Sequence, residues 1–319
     1  MYFPYLRGKQ NELFALKELL ELGLLSKSII PIIEPISLTR ALPETLTAFS
    51  KANHPIAIVF NPAVGSFADS CRTADSDKTK SRYKDFYMHC VENYSNIIKA
   101  VILNKTADSV IEQFRSQKVL NSEIIVILDN RDHIGLYTKY FQAAPPQYTL
   151  IPNDHIFLDN VKQNTVLFHD RFVKKARNID YLENLDEAFS SDHLYYKKFN
   201  FSGFSDFSMV GKPFTEDSFS PKAVALHMIY FDTQNELRIA HFVSDSNTTT
   251  KDPAKKFNEA NKKLAQWYQK NIKSVPLTEG LKRFLILGKS EEYPGLGIAK
   301  KLSLMHHFEL MSNYLNAKK

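Results

Sequence analysis

The chain has 319 residues, of which 44% are hydrophobic and 24% are charged, proportions typical of an ordinary soluble globular protein. Two cysteines, Cys71 and Cys90, stand nineteen positions apart without a CxxC motif, which argues against a zinc site and a secreted disulfide scaffold. The sequence shows no signal-peptide pattern and no run of roughly 18 apolar residues that could cross a membrane. We therefore expect a cytoplasmic protein without membrane partners.

The net charge of +6 is unevenly distributed along the chain. Residues 251–319 contain 14 Lys or Arg and 6 Asp or Glu, a net charge of +8, whereas residues 1–250 carry −2. A basic C-terminal face could attract nucleic acid or an acidic partner. The alternative is a solvated helix surface without a partner.

Short apolar runs alternate with helical patterns over most of the chain. A helix with leucines at 13, 16, 20 and 24 opens the series, and Gly23 can end it. The predicted strands, in chain order, are 29–33, 56–60, 97–103, 124–128, 155–158, 165–168, 201–207 and 223–231. The helices predicted between them are 38–50, 80–94, 107–118, 134–141 and 179–189. The polar segment 66–79 is predicted to be a mobile loop.

These strands are apolar runs of about five residues without strict alternation, the pattern of strands that are buried on both faces of a parallel sheet. Repeated βα units fit either a barrel or a doubly wound sheet. Eight candidate strands favour an α/β fold of the (β/α)8 TIM-barrel type. We expect the barrel to be irregular, because no helix separates its fifth and sixth predicted strands.

The pattern changes near residue 223. The run 223–231, a polar turn at 232–236 and the run LRIAHFV predict a β-hairpin. Helices are then predicted at 253–271, 278–287 and 297–314. We interpret residues 1–222 as the barrel-like core, and residues 223–319 as the last barrel strand, the hairpin and a basic helical cap, together forming one compact domain.

Polar side chains follow most of the predicted strands, where function collects in parallel α/β folds. They are Glu34, Asn61, Asn104, Asp129, Asp159, Asp170 and Asp206. The candidate catalytic residues are Glu34, Asp129, Asp170 and Asp206, because such carboxylates could act as general acid and base or bind Mg²⁺ through oxygen ligands, although no metal or cofactor is specified. The alternative is that they are ordinary turn and cap residues. Glu34 fits this alternative least, because it interrupts the apolar run IIPIIEP.

Further ligand-binding candidates lie outside that ring. Arg7 and Lys9 flank Gly8 and could hold a phosphate or carboxylate; pairing with surface acids is the alternative. His227 and His241 alternate with apolar neighbours and could bind a ligand, or could be hydrogen-bonded core residues. Neither a GxSxG elbow nor an HExxH zinc pair is present.

Several segments together resemble the bacterial "beta protein" family. They are MYFPYLRGKQNELFAL (1–16), IIPIIEP (29–35), FSGFSDFS (201–208), HFVSDSN with DPAKKF (241–257) and YPGLGIAKKLSLMHHFEL (293–310). The similarity is to the branch that is often encoded beside a small restriction-nuclease-like protein. It implies a two-component phage-defence system and supplies no catalytic residues.

Three hypotheses follow. The preferred one is a non-nuclease defence component that senses a phage product or nucleotide-like ligand at the strand ends and acts with a nuclease-like partner, since no PD-(D/E)xK pattern is evident. The second is a metal-assisted hydrolase or phosphodiesterase that uses the strand-end carboxylates. The third is a non-catalytic scaffold. Whether the strand-end residues converge on one side of the barrel would distinguish these three hypotheses.

Overall fold

The computed structural model describes residues 1–215 and 221–317. Its strands are β1 (Tyr5–Leu6), β2 (Ile32–Ile33), β3 (Ile56–Val59), β4 (Ile97–Ile102), β5 (Ile124–Ile127), β6 (Tyr148–Ile151), β7 (Thr165–Phe168), β8 (Asp186–Ser190), β9 (Gly203–Ser205), β10 (Ala225–Phe231) and β11 (Leu237–Val243). Its α-helices are α1 (Gln10–Glu21), α2 (Ala41–Lys51), α3 (Phe67–Thr73), α4 (Lys78–Asn93), α5 (Ala107–Ser116), α6 (Ile134–Phe141), α7 (His155–Asn160), α8 (Asp192–Tyr195), α9 (Pro253–Asn271), α10 (Glu279–Ser290) and α11 (Leu296–Ala317). No helix in these two ranges is long and apolar enough to span a bilayer.

The chain divides into two compact units, and the first contains the barrel. This unit comprises Met1–Leu13, Lys27–Asp170 and Asp192–Phe207. Its sheet has the order β1-β2-β3-β4-β5-β6-β7-β9, and every neighbouring pair is parallel. The two edges of the sheet meet, because the Phe3 N–H donates to the Phe204 carbonyl (2.9 Å) and the Tyr5 N–H to the Asp206 carbonyl (2.9 Å). The predicted TIM-barrel-like α/β fold is confirmed.

Alternate residues of these strands fill the inside of the barrel, as the two-residue period of a strand requires. The inner cluster is Phe3, Tyr5, Ile30, Ile32, Ala57, Val59, Ala100, Ile102, Ile125, Ile127, Leu150, Val166, Phe168 and Phe207. The intervening residues face outwards, where α2–α7 follow the strands along the chain. Gly203 belongs to the inner set. A Cβ there would lie 2.7 Å from the Phe3 ring, so no larger residue fits.

Two of the predicted barrel strands are wrong. Residues 155–158 lie in α7, where the Asp154 carboxylate caps the helix by accepting the Ile156 N–H at 2.9 Å. The strand in this region is β6, whose apolar run is short and flanked by prolines. Most of the run 223–231 forms β10 (Ala225–Phe231) in a different sheet, and β1 takes the eighth place in the barrel. β1 was not predicted, because Pro4 interrupts the short aromatic segment at the start of the chain.

Two other sequence predictions are wrong as well. The segment predicted as a helix at 179–189 forms a 3₁₀ turn, Asn178–Glu183, followed by β8. The predicted loop at 66–79 contains α3 and a 3₁₀ turn, Ala74–Ser76. In both cases a short segment carries little periodic signal. In the first case the pairing partner of the strand, β11, is also distant in sequence.

The second unit comprises Phe14–Ser26, Arg171–Ser191 and Ser208–Lys319. Its sheet has the order β10-β11-β8 and is antiparallel, with the hairpin register His227↔His241. The predicted hairpin and the three C-terminal helices are confirmed. α11 is buried along most of its length, so it is the central helix of this unit. Glu18 forms ion pairs with Arg283 and Lys301 in the same unit.

Candidate functional site

The side chains that follow the barrel strands continue the alternation of the inner wall. Each stands two residues beyond an inward-facing core residue, as Arg7 follows Tyr5 and Glu34 follows Ile32. We call this set the mouth residues: Arg7, Glu34, Asn61, Asn104, Asp129 and Asp170. Because the strands are parallel, their carboxyl ends open at one end of the barrel. These six residues therefore share one end and one face of the sheet.

Arg7 and Glu34 form a buried ion pair at this mouth. The side chains are only 8% and 1% exposed. The Glu34 carboxylate also accepts the Tyr5 hydroxyl at 2.8 Å through Oε2 and the Ala63 N–H at 2.7 Å through Oε1. Both carboxylate oxygens are thus engaged by donors of the protein, which fixes the carboxylate and holds the guanidinium in place.

The guanidinium of Arg7 lies over aromatic rings. Its central carbon is 5.3 Å from the Phe207 ring centroid and 5.4 Å from that of Tyr5. Phe168 packs against both rings, at 5.1 Å and 5.6 Å between centroids. Cation–π attraction and the apolar floor therefore stabilise a charge that has lost most of its water.

The backbone between β1 and α1 is also held by an internal carboxylate. Glu12 is fully buried, and its Oε2 accepts the N–H of Arg7 at 3.0 Å and of Lys9 at 3.3 Å. Gly8 between them has φ +65, and a Cβ there would lie 3.0 Å from the Ile33 Cγ2 atom. This short loop therefore holds Arg7 in a fixed position at the mouth. Lys9 is half-buried and lies next to the start of α1.

Arg7 also interacts electrostatically with acidic residues other than Glu34. Burial lowers the pKa of Arg7, while Tyr5, Glu12, Asp129 and Asp170 oppose that shift. Burial likewise raises the pKa of Tyr5, which Arg7 lowers and Asp129 raises, so the phenol stays protonated and donates to Glu34. Asp129 is half-buried and Asp170 is exposed, so solvent reaches both carboxylates.

Asn61 and Asn104 fasten two neighbouring strands. The Asn61 amide donates to the Ile102 carbonyl at 2.7 Å and accepts the Ile102 N–H at 2.9 Å. The same amide nitrogen donates to Asn104 Oδ1 at 3.1 Å, and the Thr106 hydroxyl donates to that oxygen at 2.8 Å. Both amides are thus engaged in the wall of the mouth, where they position the ends of β3 and β4.

Asp206 lies on the opposite face of its strand from the mouth residues. The carboxylate is buried and accepts the Tyr2 hydroxyl at 2.8 Å. The ring of Tyr2 stacks on Phe204 with 5.0 Å between centroids. Since Phe204 and Asp206 alternate with the inner residues Gly203, Ser205 and Phe207, this carboxylate is directed away from the barrel interior.

His227 and His241 belong to the second unit. Their Nδ1 atoms are 2.7 Å apart, and His241 Nε2 lies 3.3 Å from the Glu187 carboxylate. The ring of Tyr181 contacts both imidazoles. Burial lowers the pKa of His227 to about 3, and His241 adds to this effect. Burial also lowers the pKa of His241, against the opposing effect of Glu187. The pair is thus a neutral, hydrogen-bonded unit.

Three further residues build the mouth and were not predicted as site residues: Tyr5, Glu12 and Phe207. A signal exists for Glu12, which follows Lys9 by three residues, as in a capping box. Tyr5 stands two residues before Arg7, the spacing of neighbours on one strand face. A further pair was missed at the end of β7, where His169 Nδ1 lies 3.4 Å from the Asp192 carboxylate.

Within residues 1–215 and 221–317, no group of three or more His, Cys, Asp or Glu side chains is arranged to hold a metal ion. Comparison with models of known protein families finds no match. Comparison with curated proteins finds none either. The chemistry of the mouth residues is therefore the basis for a functional conclusion.

Proposed function

We propose that the protein is a ligand-binding component of a phage-defence system, and that the mouth of its barrel binds a nucleoside-type ligand. The observation that carries this proposal is the buried Arg7–Glu34 pair with Asp129 and Asp170 in electrostatic reach of it. A buried ion pair contributes little net stability, because desolvation offsets the attraction. Buried charges at a strand-end mouth are characteristic of functional sites.

The roles of the mouth residues differ with their exposure. Glu34 is engaged by Tyr5, Arg7 and the Ala63 N–H, so it acts as a positioning residue. Asp129 and Asp170 are reached by solvent, so a ligand in the mouth can approach their carboxylates. Carboxylates at strand ends bind ribose hydroxyls and base amino groups, as in dinucleotide-binding folds. A ligand rich in O–H and N–H donors is the complement of this mouth.

The setting of the proposal comes from the resemblance to the "beta protein" family. A sensor that binds a nucleotide-like product of infection would transmit its state to a nuclease-like effector. Co-purification of the chain with the product of the neighbouring gene tests that part. A chain that elutes alone, with phage plating unchanged on deletion, would reject the defence role and leave ligand binding to be judged separately.

The binding experiment uses a panel of nucleosides and nucleoside mono-, di- and triphosphates, with inorganic phosphate as reference, read by thermal shift and calorimetry. We expect at least one nucleoside compound to raise the melting temperature. Asp129→Asn should weaken its binding about 10- to 100-fold, because a hydrogen bond to a charged group contributes about 1.5–3 kcal/mol.

The matched control is Asp132→Asn, an exposed carboxylate three residues further along the same loop. This variant should bind like the unchanged protein. Equal binding by Asp129→Asn, or no thermal shift with any compound of the panel, would refute a nucleoside site at the mouth.

A phosphodiesterase is the second candidate, favoured by the coupling of two solvent-reached carboxylates to the Arg7 guanidinium. Such a set could position and protonate a phosphoester. Turnover of nucleotides and nucleic acids is measured with Mg²⁺ or Mn²⁺, for the unchanged protein and for Asp129→Asn. Product formation that the substitution abolishes would support the enzyme. Absence of turnover with either metal would rule it out.

A further inference from the structure

Helices α9 and α10 of the second unit enclose an open groove of about 680 Å³. Its floor includes Ala265, Leu285 and Gly288. Its rim carries Lys255 and Lys262 from α9 and Lys289 from α10. All three lysines are exposed, and the Lys255 side chain is 68% exposed. A shallow apolar floor is thus bordered by cationic side chains on both helices.

The acids of the groove compensate only part of this charge. Glu259 lies 3.9 Å from Lys255 as its i,i+4 ion-pair partner, and its carboxylate also accepts the Ser246 N–H and the Ser246 hydroxyl, each at 2.7 Å. Glu291 is an exposed acid on the same rim. Beyond the groove, Lys270 is exposed on α9 and Lys282 is exposed on α10, where Lys282 also pairs with Glu279 at 3.5 Å. The surface is therefore a basic stripe with room for a ligand along it.

The spacing of the lysines indicates an extended ligand. Lys255 and Lys262 stand seven residues apart on α9, and Lys282 and Lys289 repeat that spacing on α10. Seven residues of helix rise about 10 Å. Charges distributed in this way along two helices complement a long, evenly charged polyanion better than a short acidic segment of a protein.

We propose that this α9–α10 groove binds the phosphate backbone of single-stranded nucleic acid. The lysines border the groove on both helices, so a single strand that lies along the groove can contact all three of them. Among the described residues that line it there is no aromatic ring and no guanidinium. Stacking and bidentate base contacts therefore contribute little, and the binding is electrostatic and independent of sequence.

The test is fluorescence anisotropy with a labelled oligothymidylate of about twenty nucleotides, between about 50 and 200 mM salt. Three phosphate contacts predict a plot of log K against log salt with a slope of about −2, since each contact on a single strand contributes about −0.7. The triple variant Lys255→Glu, Lys262→Glu, Lys289→Glu should lose most of that slope and bind at least ~10-fold more weakly at the lower salt.

The matched control reverses three exposed lysines of the first unit, Lys80, Lys105 and Lys162, which changes the net charge by the same amount. Circular dichroism and melting temperature establish that both triple variants fold. The proposal is upheld if only the groove variant loses binding. Equal losses in both variants would show attraction to net charge alone and would overturn it.

Two competitors decide the class of ligand. Polyglutamate that displaces the oligonucleotide at equal charge concentration would assign the groove to an acidic protein. A duplex of equal length that binds more tightly than the single strand would also overturn the proposal. Nucleoside binding at the barrel mouth is measured with other probes and variants, so the two proposals can fail independently.

Discussion

Arg7 is the residue around which the barrel mouth is organised. The β1–α1 loop places its backbone through Glu12, and the Glu34 carboxylate and the Phe207 ring hold its guanidinium. A buried guanidinium without a counter-charge is strongly destabilising, because its desolvation is then uncompensated. Glu34 is the carboxylate in direct contact with the guanidinium, and the donors Tyr5 and Ala63 hold it there, so the stability of the mouth depends on it more than on Asp129 and Asp170.

Glu34→Gln tests this dependence. Glutamine keeps the size of the side chain and removes the negative charge, so Arg7 stays buried beside a neutral amide. We expect the free energy of unfolding to fall by about 3–5 kcal/mol, as when one partner of a buried pair is removed. Urea unfolding followed by circular dichroism measures the change.

Glu44→Gln is the control for this substitution. Glu44 pairs with Arg40 at i,i+4 on α2, and the Arg40 side chain is 73% exposed. Loss of such a surface pair should cost about 0.5 kcal/mol or less. If both variants changed stability by the same small amount, the Arg7–Glu34 pair would not hold the mouth together.

At the scale of elements, α10 and α11 pack with their backbones in contact. Gly280 makes this possible, because a Cβ at that position would overlap the Leu302 carbonyl oxygen and lie 2.8 Å from the His306 nitrogen. Thr278 begins α10 by accepting the Leu281 N–H, and its hydroxyl also contacts His306 Nδ1 at 2.6 Å. The first turn of α10 thus contains both the helix cap and the point where the backbone of α10 comes close to that of α11.

Gly280→Ala should therefore destabilise the second unit by about 1–3 kcal/mol or more, since the atoms it meets are backbone atoms that cannot rotate away. The expectation runs against intrinsic helix propensity, which favours alanine over glycine by about 1 kcal/mol. Thermal unfolding of the variant measures the effect.

Gly288→Ala on the same helix provides the comparison. There an added Cβ would lie 3.2 Å from the Asn261 amide nitrogen, which is a side-chain atom and not backbone, and which donates to the Phe284 carbonyl. We expect this variant to be neutral or stabilised. A Gly280→Ala protein as stable as Gly288→Ala would show that the two helices can separate without cost.

Elements with a strong local signal were predicted well. The hairpin and Pro253–Asn271 follow directly from alternation and from apolar spacing with a proline at the start of the helix. Elements with a weak local signal were not predicted. β1 has two residues and β8 has the sequence DEAFS, so neither forms an apolar run that a single segment reveals. Their strand character comes from partners that are distant in sequence.

At the scale of the whole molecule, buried neutral histidines make stability depend on pH. Burial lowers the pKa of His306 to about 4, although its contact with the Ile229 carbonyl opposes this. Burial lowers the pKa of His227 to about 3, as described above. In the unfolded chain a histidine titrates near 6.5. Between these values the unfolded state binds more protons than the folded state.

We therefore expect the free energy of unfolding to decrease as the pH falls from about 6.5 towards 4, by up to about 1.4 kcal/mol per pH unit for each such histidine. Stability from these groups is fully present above the unfolded pKa and is lost on acidification. Urea unfolding at a series of pH values measures the slope of the free energy of unfolding against pH. His306→Gln should reduce the number of protons taken up on unfolding by about one.

The exposed His89 supplies the control, because His89→Gln removes a histidine from the surface. For this variant, the slope of the free energy of unfolding against pH should match that of the unchanged protein. A stability profile that is flat between about pH 6.5 and 4.5, or a His306→Gln slope equal to that of the unchanged protein, would contradict the assignment.

The sequence by itself determined the class of the fold and the end of the barrel at which polar groups collect. Buried β-branched runs such as Ile124–Ile127 need a parallel sheet covered by helices, and a residue such as Glu34 inside an apolar run needs a specific partner. Only the tertiary structure decided that the partner is Arg7, that Asp206 has the opposite orientation, and that β1 rather than β10 completes the barrel. Pairing across long stretches of chain and the face on which a side chain lies are set by register and closure, which local patterns do not encode.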